Sequence, residues 1–463
     1  MRAVCSGRDL MEDRQHTMTA CIPSRFHTPV LLLCEAAVLA LGMALGGSVM
    51  EGLYVSAVPA FAVYILLRPA KPRWRDIRGY LVLYVALAGL SAAYMLAWVR
   101  TAPWASVRWV ELACALYFLG SVHVLLWLAD RLLSEGLSRA MRIPAGPAAR
   151  PAAPGQPALR GRRAARTVLR LLVLVAAGGP FMVSALSMHW IKWGDATDPR
   201  QFSGLAYQDA GFYSTDGVRL SAWFIPGQGG MSDSTVILLP ARGMGKAGAL
   251  PYAQAVHASG CNVLVLDPRG EGGSEGHRGG MGVAEAQDVS GAVQYLLQAR
   301  PRESVAIFAM GVSQGCGAVL KAARADDRIR AVVVDSPLGS PADEIEKMIS
   351  WAPAPAAAWF EQATLLWASL EQGCNLRGQT ACGDVAEISP RPVLMICGRE
   401  DASAETRQVE RLYGAARDPV MLWKAPGAGH AEALASRPAE YSMLVTKMLQ
   451  SVRIGMSPFG WAR

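Results

Sequence analysis

The sequence lacks the cysteine patterns that hold together small secreted domains and structural metal sites. Its 463 residues include nine cysteines, yet none of them forms a CxxC pair or a Cys/His cluster at zinc spacing. This argues against a disulfide-built miniprotein and against a structural metal site. We therefore expect no metal and no other cofactor. Internal repeats of the solenoid type are also missing.

Apolar residues, by contrast, are abundant. Hydrophobic residues make up 52% of the chain and its mean hydropathy is +0.22, which is too apolar for an ordinary soluble protein. The formal net charge of +8 would indicate nucleic-acid binding only if Lys and Arg formed a patch on a folded surface. Many of them lie between hydrophobic runs instead, which points to membrane topology. The expected partner is a lipid bilayer and not nucleic acid.

The apolar residues are concentrated in five stretches. Most of these are near the ~20 residues that cross a bilayer. They lie at residues 29–48, 52–68, 79–99, 110–129 and 168–188. We predict an all-α transmembrane region of five helices over residues 29–190, after a cytoplasmic N-terminal segment at residues 1–28. Residues 143–166 are rich in Pro, Ala and Arg and predict a disordered loop.

The distribution of cations predicts how these helices are oriented. Lys and Arg cluster in the N-terminal segment, the second loop and the fourth loop, whereas the first loop has none. Because such cations stay on the cytoplasmic side, we expect everything after residue 188 outside the cytoplasm, at a plasma or inner membrane. Trp190 and Trp193 would then lie in the outer interfacial belt. Glu35 and His123, within the first and fourth stretches, are hypothesised to form a hydrogen bond.

From residue 205 onward, short β-rich runs alternate with helical runs. This alternation predicts an α/β fold with a mainly parallel sheet and helices on both faces. Asp216 and Gly217 predict an entering hairpin with a type I′ turn. The predicted buried strands cover residues 235–240, 262–267, 304–310, 331–335, 392–397 and 419–425. The predicted helices lie near residues 284–298, from Gln314 onward, and at residues 437–450.

The pattern GxSxG, which surrounds many catalytic serines, occurs twice. It stands around Ser313 and around Ser274. A nucleophile elbow needs a strand that runs into a tight turn and a helix that starts at once. Ser313 alone has this setting, because SVAIFAM precedes it and a helical run follows. Ser313 is therefore the predicted nucleophile.

A serine nucleophile needs a base, and the base needs a carboxylate that orients it. His430 is the only histidine after Ser313 and is therefore the predicted base. The acid is expected at Asp401, at the end of the Gly-x-x-Asp turn that follows a predicted strand. Glu400 and Asp335 are the alternatives.

The oxyanion that forms in such chemistry needs two backbone N–H donors. Gln314, directly after the nucleophile, is expected to supply one of them. The other should come from the loop of residues 241–246, where Arg242 is preferred and Met244 is possible in another register.

These motifs together resemble the α/β-hydrolases of the serine aminopeptidase and monoacylglycerol-lipase-like group. The resemblance covers residues 205–455, just over half of the chain, and rests on DGVRLSAWFIP, LLPARG, DPRGEGGSEG, GVSQG, GRED and GAGH. The sequence departs from the family at Pro240 and Ala241, which stand where the family commonly carries His-Gly. The resemblance implies an α/β-hydrolase fold after the membrane region, with a Ser-Asp-His triad.

Residues 338–386 separate two predicted core strands and are too long for a simple connection. This length predicts a small helical cap over Ser313. Its aromatic residues either line an apolar substrate pocket or pack the cap onto the body. They are Trp351, Trp359, Phe360 and Trp367.

Two pairs of cysteines in the hydrolase-like region have different expected roles. Cys374 and Cys382 are expected outside the cytoplasm, where they either form a cap disulfide or stay free. Cys316 and Cys397 are predicted to be plain thiols of the core.

The predicted function is a membrane-anchored serine hydrolase that cleaves an ester or thioester bond of a small-molecule or lipid-like substrate through an acyl-enzyme on Ser313. The alternative within enzymes is an aminopeptidase acting on short peptides, which would need a carboxylate-lined cap site. Asp343, Glu344 and Glu346 are available for it. The alternative outside enzymes is a non-catalytic binding or sensor protein, although a binding module needs no complete triad.

Overall fold

The computed structural model of the chain describes residues 176, 178–188, 192, 195, 197–230, 232–276, 278–338, 340–349, 353–401, 403–456 and 458. The N-terminal segment, the first four predicted spans and the predicted disordered loop lie outside these residues. The same holds for the Glu35–His123 pair and for Trp190, Trp193 and Trp351. Among the described residues, no helix combines the length and the apolar character needed to cross a membrane.

Within the described part of the chain, eight strands form one sheet. Their bounds are β1 Gln208–Tyr213, β2 Arg219–Ile225, β3 Ser234–Leu239, β4 Asn262–Leu266, β5 Ala306–Val312, β6 Ile329–Asp335, β7 Val393–Gly398 and β8 Val420–Ala425. Their spatial order is β1-β2-β4-β3-β5-β6-β7-β8. Strand β2 pairs antiparallel with both β1 and β4, and all other pairs are parallel.

The central strands are mostly apolar and are buried along their whole length because both of their faces are covered. Every residue of β3, β4, β5 and β7 is buried, as expected for a parallel sheet between two helical layers. Successive residues of a strand point to opposite faces. Accordingly, Ile237 belongs to the apolar cluster on one side of the sheet and Leu238 to the cluster on the other.

The helices flank this sheet on both sides. Those in the described residues are α1 Gly179–Met188, α2 Pro199–Ser203, α3 Gly245–Gly248, α4 Leu250–His257, α5 Ala286–Ala299, α6 Gln314–Ala325, α7 Pro341–Met348, α8 Ala354–Gln372, α9 Ala381–Ala386, α10 Ser403–Ala415, α11 Ala433–Ser436 and α12 Pro438–Arg453. Helices α5 and α6 bury side chains in one apolar cluster, and α4 and α12 bury theirs in the other.

The structure confirms the predicted α/β fold, and each predicted strand and helix after residue 230 is present with ends shifted by three residues at most. The entering hairpin is also present, but its predicted turn type is wrong. Asp216 does not have a positive φ, whereas Gly217 has φ 89°. The Ser214 N–H donates to the Val218 carbonyl oxygen at 2.8 Å, so the strands are joined by a three-residue loop that ends in a left-handed glycine.

Helices α7, α8 and α9 lie between β6 and β7, in the segment predicted as a cap. Helix α8 packs against α1, which is the described end of the fifth predicted span. The rings of Phe181 and Trp367 meet edge to face with centroids 5.3 Å apart, and Ser184 Oγ donates to Glu371 Oε1 at 3.2 Å. Met188, at the end of α1, is fully buried.

Candidate active site

Ser313 lies in the tight turn between β5 and α6. Its backbone has φ 51° and ψ −115°, a conformation that costs energy in a residue with a side chain and that marks a nucleophile elbow. Gly315 must be glycine, because a Cβ atom there would lie 2.6 Å from the Leu239 carbonyl oxygen. This close approach brings the start of α6 against the end of β3.

His430 and Asp401 meet Ser313 from the loops after β8 and β7. Ser313 Oγ lies 2.9 Å from His430 Nε2, and His430 Nδ1 lies 3.2 Å from Asp401 Oδ2. The Asp401 side chain is 3% exposed and that of His430 is 27% exposed. A carboxylate can only accept a hydrogen bond, so the contact with Asp401 places the imidazole proton on Nδ1. The unprotonated Nε2 then accepts a hydrogen bond from the serine hydroxyl.

The two loops approach closely because Gly398 ends β7. A Cβ atom at this position would lie 2.2 Å from the Ala428 carbonyl oxygen. Glu400, one of the alternative acids, is exposed, and its N–H donates to the same carbonyl at 3.0 Å. The structure therefore brings Asp401, and not Glu400, to the histidine.

Asp335, the other alternative acid, is fully buried behind the histidine loop. Its carboxylate accepts from Ser336 Oγ and from the Tyr441 hydroxyl, both at 3.0 Å. Ser336 Oγ in turn accepts the N–H of Ala431 at 2.8 Å. Burial raises the pKa of Asp335 to about 6. Asp335 thus fixes the backbone next to His430 and has no hydrogen bond to the ring itself.

Ser274, at the centre of the second GxSxG pattern, has a structural role. Its buried Oγ donates to the Asp267 carbonyl oxygen at 2.6 Å and accepts the Ser221 N–H at 2.9 Å. The hydroxyl therefore uses both its donor and its acceptor capacity in contacts that hold the loop.

The predicted oxyanion donors lie on two adjacent segments. Gln314 is the first residue of α6, where N–H groups have no partner within the helix. Met244, the alternative donor of the loop at residues 241–246, is already occupied, since its N–H donates to the Ala241 carbonyl oxygen at 3.1 Å. The Arg242 side chain forms an ion pair with Glu344 of α7.

Of the aromatic residues predicted for the cap, the three that the structure describes lie against α1 and its N-terminal flank. Trp359 is 59% exposed, and its Nε1 donates to the Ala176 carbonyl oxygen at 3.1 Å. Phe360 packs beside Gly179, and Trp367 beside Phe181. These contacts are those of cap packing, and the role of the residues in an acyl pocket stays a prediction.

Two cap features proposed from the sequence have different outcomes. Cys374 and Cys382 are both free thiols in the structure, so the possible disulfide is absent between them.

The cap carboxylates Asp343 and Glu344 have cationic partners. Asp343 pairs with Arg411 at 3.1 Å, and Glu344 pairs with Arg242. These two carboxylates are therefore already neutralised by cations. Cys316 and Cys397 are buried, as predicted.

Sequence reasoning missed the carboxylates behind the loop at residues 241–246. Glu271 accepts the Gly243 N–H at 2.9 Å, and Asp267 accepts the Lys246 N–H at 2.7 Å and its Nζ at 2.6 Å. The available signal was the presence of two acids in a glycine-rich run directly after β4. Such a run reads equally well as a solvated turn.

The strand order, the single antiparallel β2 between β1 and β4, and the serine turn after β5 are those of the α/β-hydrolase fold. Residues 232–425 match the family model described as serine aminopeptidase, S33.

Several known proteins are similar to this chain. The uncharacterized protein YfhR of Escherichia coli is 28% identical over 49% of this chain and 74% of its own length. The α/β-hydrolase domain-containing protein WAV2 of Arabidopsis thaliana is 28% identical over 46% of this chain and 69% of its own length. Among solved structures, the Pyrococcus furiosus esterase Pf2001 covers 56% of this chain and 97% of its own, at 24% identity and a TM-score of 0.45.

Proposed function

We propose that this chain is a serine hydrolase that cleaves an ester or thioester bond through an acyl-enzyme on Ser313. The observation that carries the proposal is the hydrogen-bonded series from Ser313 through His430 to Asp401, with the serine raised on a strained turn. A non-catalytic binding domain would not need all three groups in this arrangement.

In the proposed reaction, His430 Nε2 takes the hydroxyl proton as Ser313 Oγ attacks the carbonyl carbon. Asp401 keeps the ring oriented and stabilises its positive charge. The N–H groups of Gln314 and Arg242 donate to the oxyanion. The alcohol or thiol leaves with the proton from His430, and water then releases the acid by the reverse sequence.

An ester or thioester is favoured over a peptide with a free amino terminus. An aminopeptidase needs a carboxylate to bind the amine. Asp343 and Glu344 are already paired with Arg411 and Arg242, which leaves the exposed Glu346 as the remaining candidate for that role. The class S33 description of the matching family keeps the aminopeptidase as the competing outcome. A panel of acyl esters and thioesters against amino-acid amides separates the two.

The test of catalysis is labelling of the full-length protein with a fluorophosphonate. The wild type and Ser274→Ala should react, and Ser313→Ala should not, because only Ser313 has an activating base. The proposal fails if the wild type stays unlabelled or if Ser313→Ala labels as fast as the wild type.

The five apolar stretches form the membrane anchor in this proposal, with the hydrolase domain on the non-cytoplasmic side. The cation distribution supports this orientation. Packing of α1 on α8 would then keep the domain next to the bilayer and its lipid-like substrates. Protease should cleave the domain in cells whose inner or plasma membrane is intact, once any outer membrane has been made permeable. Cleavage only after the inner or plasma membrane is opened would contradict the orientation.

A further inference from the structure

Glu271 is a buried carboxyl group directly behind the loop at residues 241–246, the oxyanion loop. It follows β4, is 7% exposed, and its Oε1 accepts the Gly243 N–H at 2.9 Å. Gly243 has φ 71°, a left-handed conformation that glycine adopts freely but does not hold by itself. An external contact is therefore needed to keep this part of the loop in one conformation.

Two other amides of the oxyanion loop, those of Met244 and Lys246, are also fixed. The Met244 N–H bonds within the loop to the Ala241 carbonyl oxygen at 3.1 Å. The Lys246 N–H bonds to Asp267, whose carboxylate also binds the Lys246 ammonium. Asp267 thus holds the end of the loop where α3 begins. Glu271 holds the residue next to Arg242, the proposed donor.

We infer that Glu271 is a positioning residue, which orients the oxyanion loop so that the Arg242 N–H faces the substrate oxygen. This inference rests on the proposed function. Glu271 does not contact the substrate and acts through Gly243. A misdirected donor weakens binding of the oxyanion more than binding of the neutral ground state, so loss of the contact should lower kcat more than it raises KM.

The surroundings of Glu271 favour its neutral form. Its pKa is raised to about 8, chiefly by burial; the neighbouring acids Asp267 and Glu285 add to the shift, and the N–H groups of Gly243 and Gly245 oppose it. Asp267 is itself paired with Lys246, which also contacts Asp195 at 2.8 Å. A neutral carboxyl accepts the Gly243 N–H without opposing the negative charge that develops on the oxyanion. Glutamine should therefore replace Glu271 well.

The test compares Glu271→Asp and Glu271→Gln in the full-length protein. The matched control is Glu275→Gln, because Glu275 lies in the same loop after β4 as Glu271 but is exposed. Aspartate withdraws the carboxyl from Gly243 by one methylene. It should lower kcat and the rate of fluorophosphonate labelling by about tenfold or more, with little change in KM. Glu271→Gln and Glu275→Gln should stay close to the wild type at neutral pH.

Hydrogen exchange of the peptide that spans residues 241–246 gives a readout that does not depend on activity. In Glu271→Asp this peptide should exchange faster, while peptides from β3 and β5 exchange as in the wild type. The inference is overturned if Glu271→Asp keeps wild-type kcat and exchange, or if exchange rises equally in β3 and β5. If fluorophosphonate does not label the wild type, the proposed function is wrong. The hydrogen-exchange result then still shows whether Glu271 holds the oxyanion loop.

Discussion

Asp401 and Asp335 are two acids at the carboxyl ends of neighbouring strands, and their hydrogen bonds give them different roles. Asp401 meets the imidazole Nδ1 at 3.2 Å. Asp335 meets Ser336 and Tyr441, which places it one step further from the reaction. The Gly-x-x-Asp turn in the sequence favoured Asp401, and the order of Ser313, acid and His430 left Asp335 open. The Tyr441 contact that separates them joins residues 106 positions apart and has no local signature.

The two acids should differ in the effect of an isosteric amide. Asp401→Asn should lower kcat by about 10⁴, because the amide stabilises the wrong tautomer of His430. Asp335→Asn should cost about 10²-fold at most, through a small displacement of the histidine loop. Steady-state hydrolysis of an activated ester measures both variants. Equal losses in the two variants would show that Asp335, and not Asp401 alone, orients the histidine.

The strands of the sheet could be predicted from the sequence because they are continuous apolar runs with turn residues at their ends. Helix α1 could not be assigned in the same way. Its sequence GPFMVSALSM is apolar throughout, and apolar composition does not distinguish the end of a membrane span from a helix buried in a domain. Its contacts with Trp367 and Glu371 are long-range and appear only in the fold.

The ion pair between Arg242 and Glu344 links two elements, the oxyanion loop and helix α7. The side chains are 20% and 6% exposed, so removal of one partner leaves the other charge poorly solvated. In the full-length protein in detergent, Glu344→Gln and Arg242→Gln should each lower the free energy of unfolding by about 1–3 kcal/mol. The double variant should lose less than the sum, with a coupling of about 1 kcal/mol or more.

The exposed pair of Arg324 and Glu387 is the matched control for this cycle. Its side chains are 44% and 57% exposed, and solvent screening should keep its coupling below about 0.5 kcal/mol. Additive losses for Arg242 and Glu344 would mean that the ion pair does not join the loop to the cap.

At the scale of the whole molecule, polar contacts attach the segment after α1 to the hydrolase domain. Lys192 Nζ donates to the Ser274 carbonyl oxygen at 2.6 Å, and the Gly279 N–H donates to the Met188 carbonyl oxygen at 2.8 Å. Asp195 pairs with Lys246, the buried last residue of the oxyanion loop. The sequence predicted only that the chain after residue 188 lies outside the cytoplasm. The structure adds that Lys192 and Asp195 contact the domain that carries the site.

The stability of the whole domain should depend on pH through two buried carboxyl groups whose pKa values are raised. Glu271 and Asp335 have pKa values raised to about 8 and about 6 by burial. In the unfolded chain both ionise near pH 4, so between that pH and the folded pKa the folded state binds more protons than the unfolded state. Each acid therefore stabilises the fold fully only below about pH 4. Its contribution is lost as the pH rises to its folded value.

Glu271→Gln and Asp335→Asn remove these titrations one at a time. Relative to wild type, the free energy of unfolding of Glu271→Gln should rise by roughly 3–5 kcal/mol between pH 4.5 and pH 8.5, since one pKa unit corresponds to about 1.4 kcal/mol. For Asp335→Asn the relative gain should be roughly 2–3 kcal/mol and should be complete near pH 6.5. Urea unfolding of the three proteins across this range measures both differences. The two differences end at different pH values, so each can be assigned to its own carboxyl group. A cost of substitution that does not involve ionisation shifts the free energy of unfolding equally at every pH. Differences that stay constant from acid to alkaline pH would mean that both groups are ionised in the folded protein.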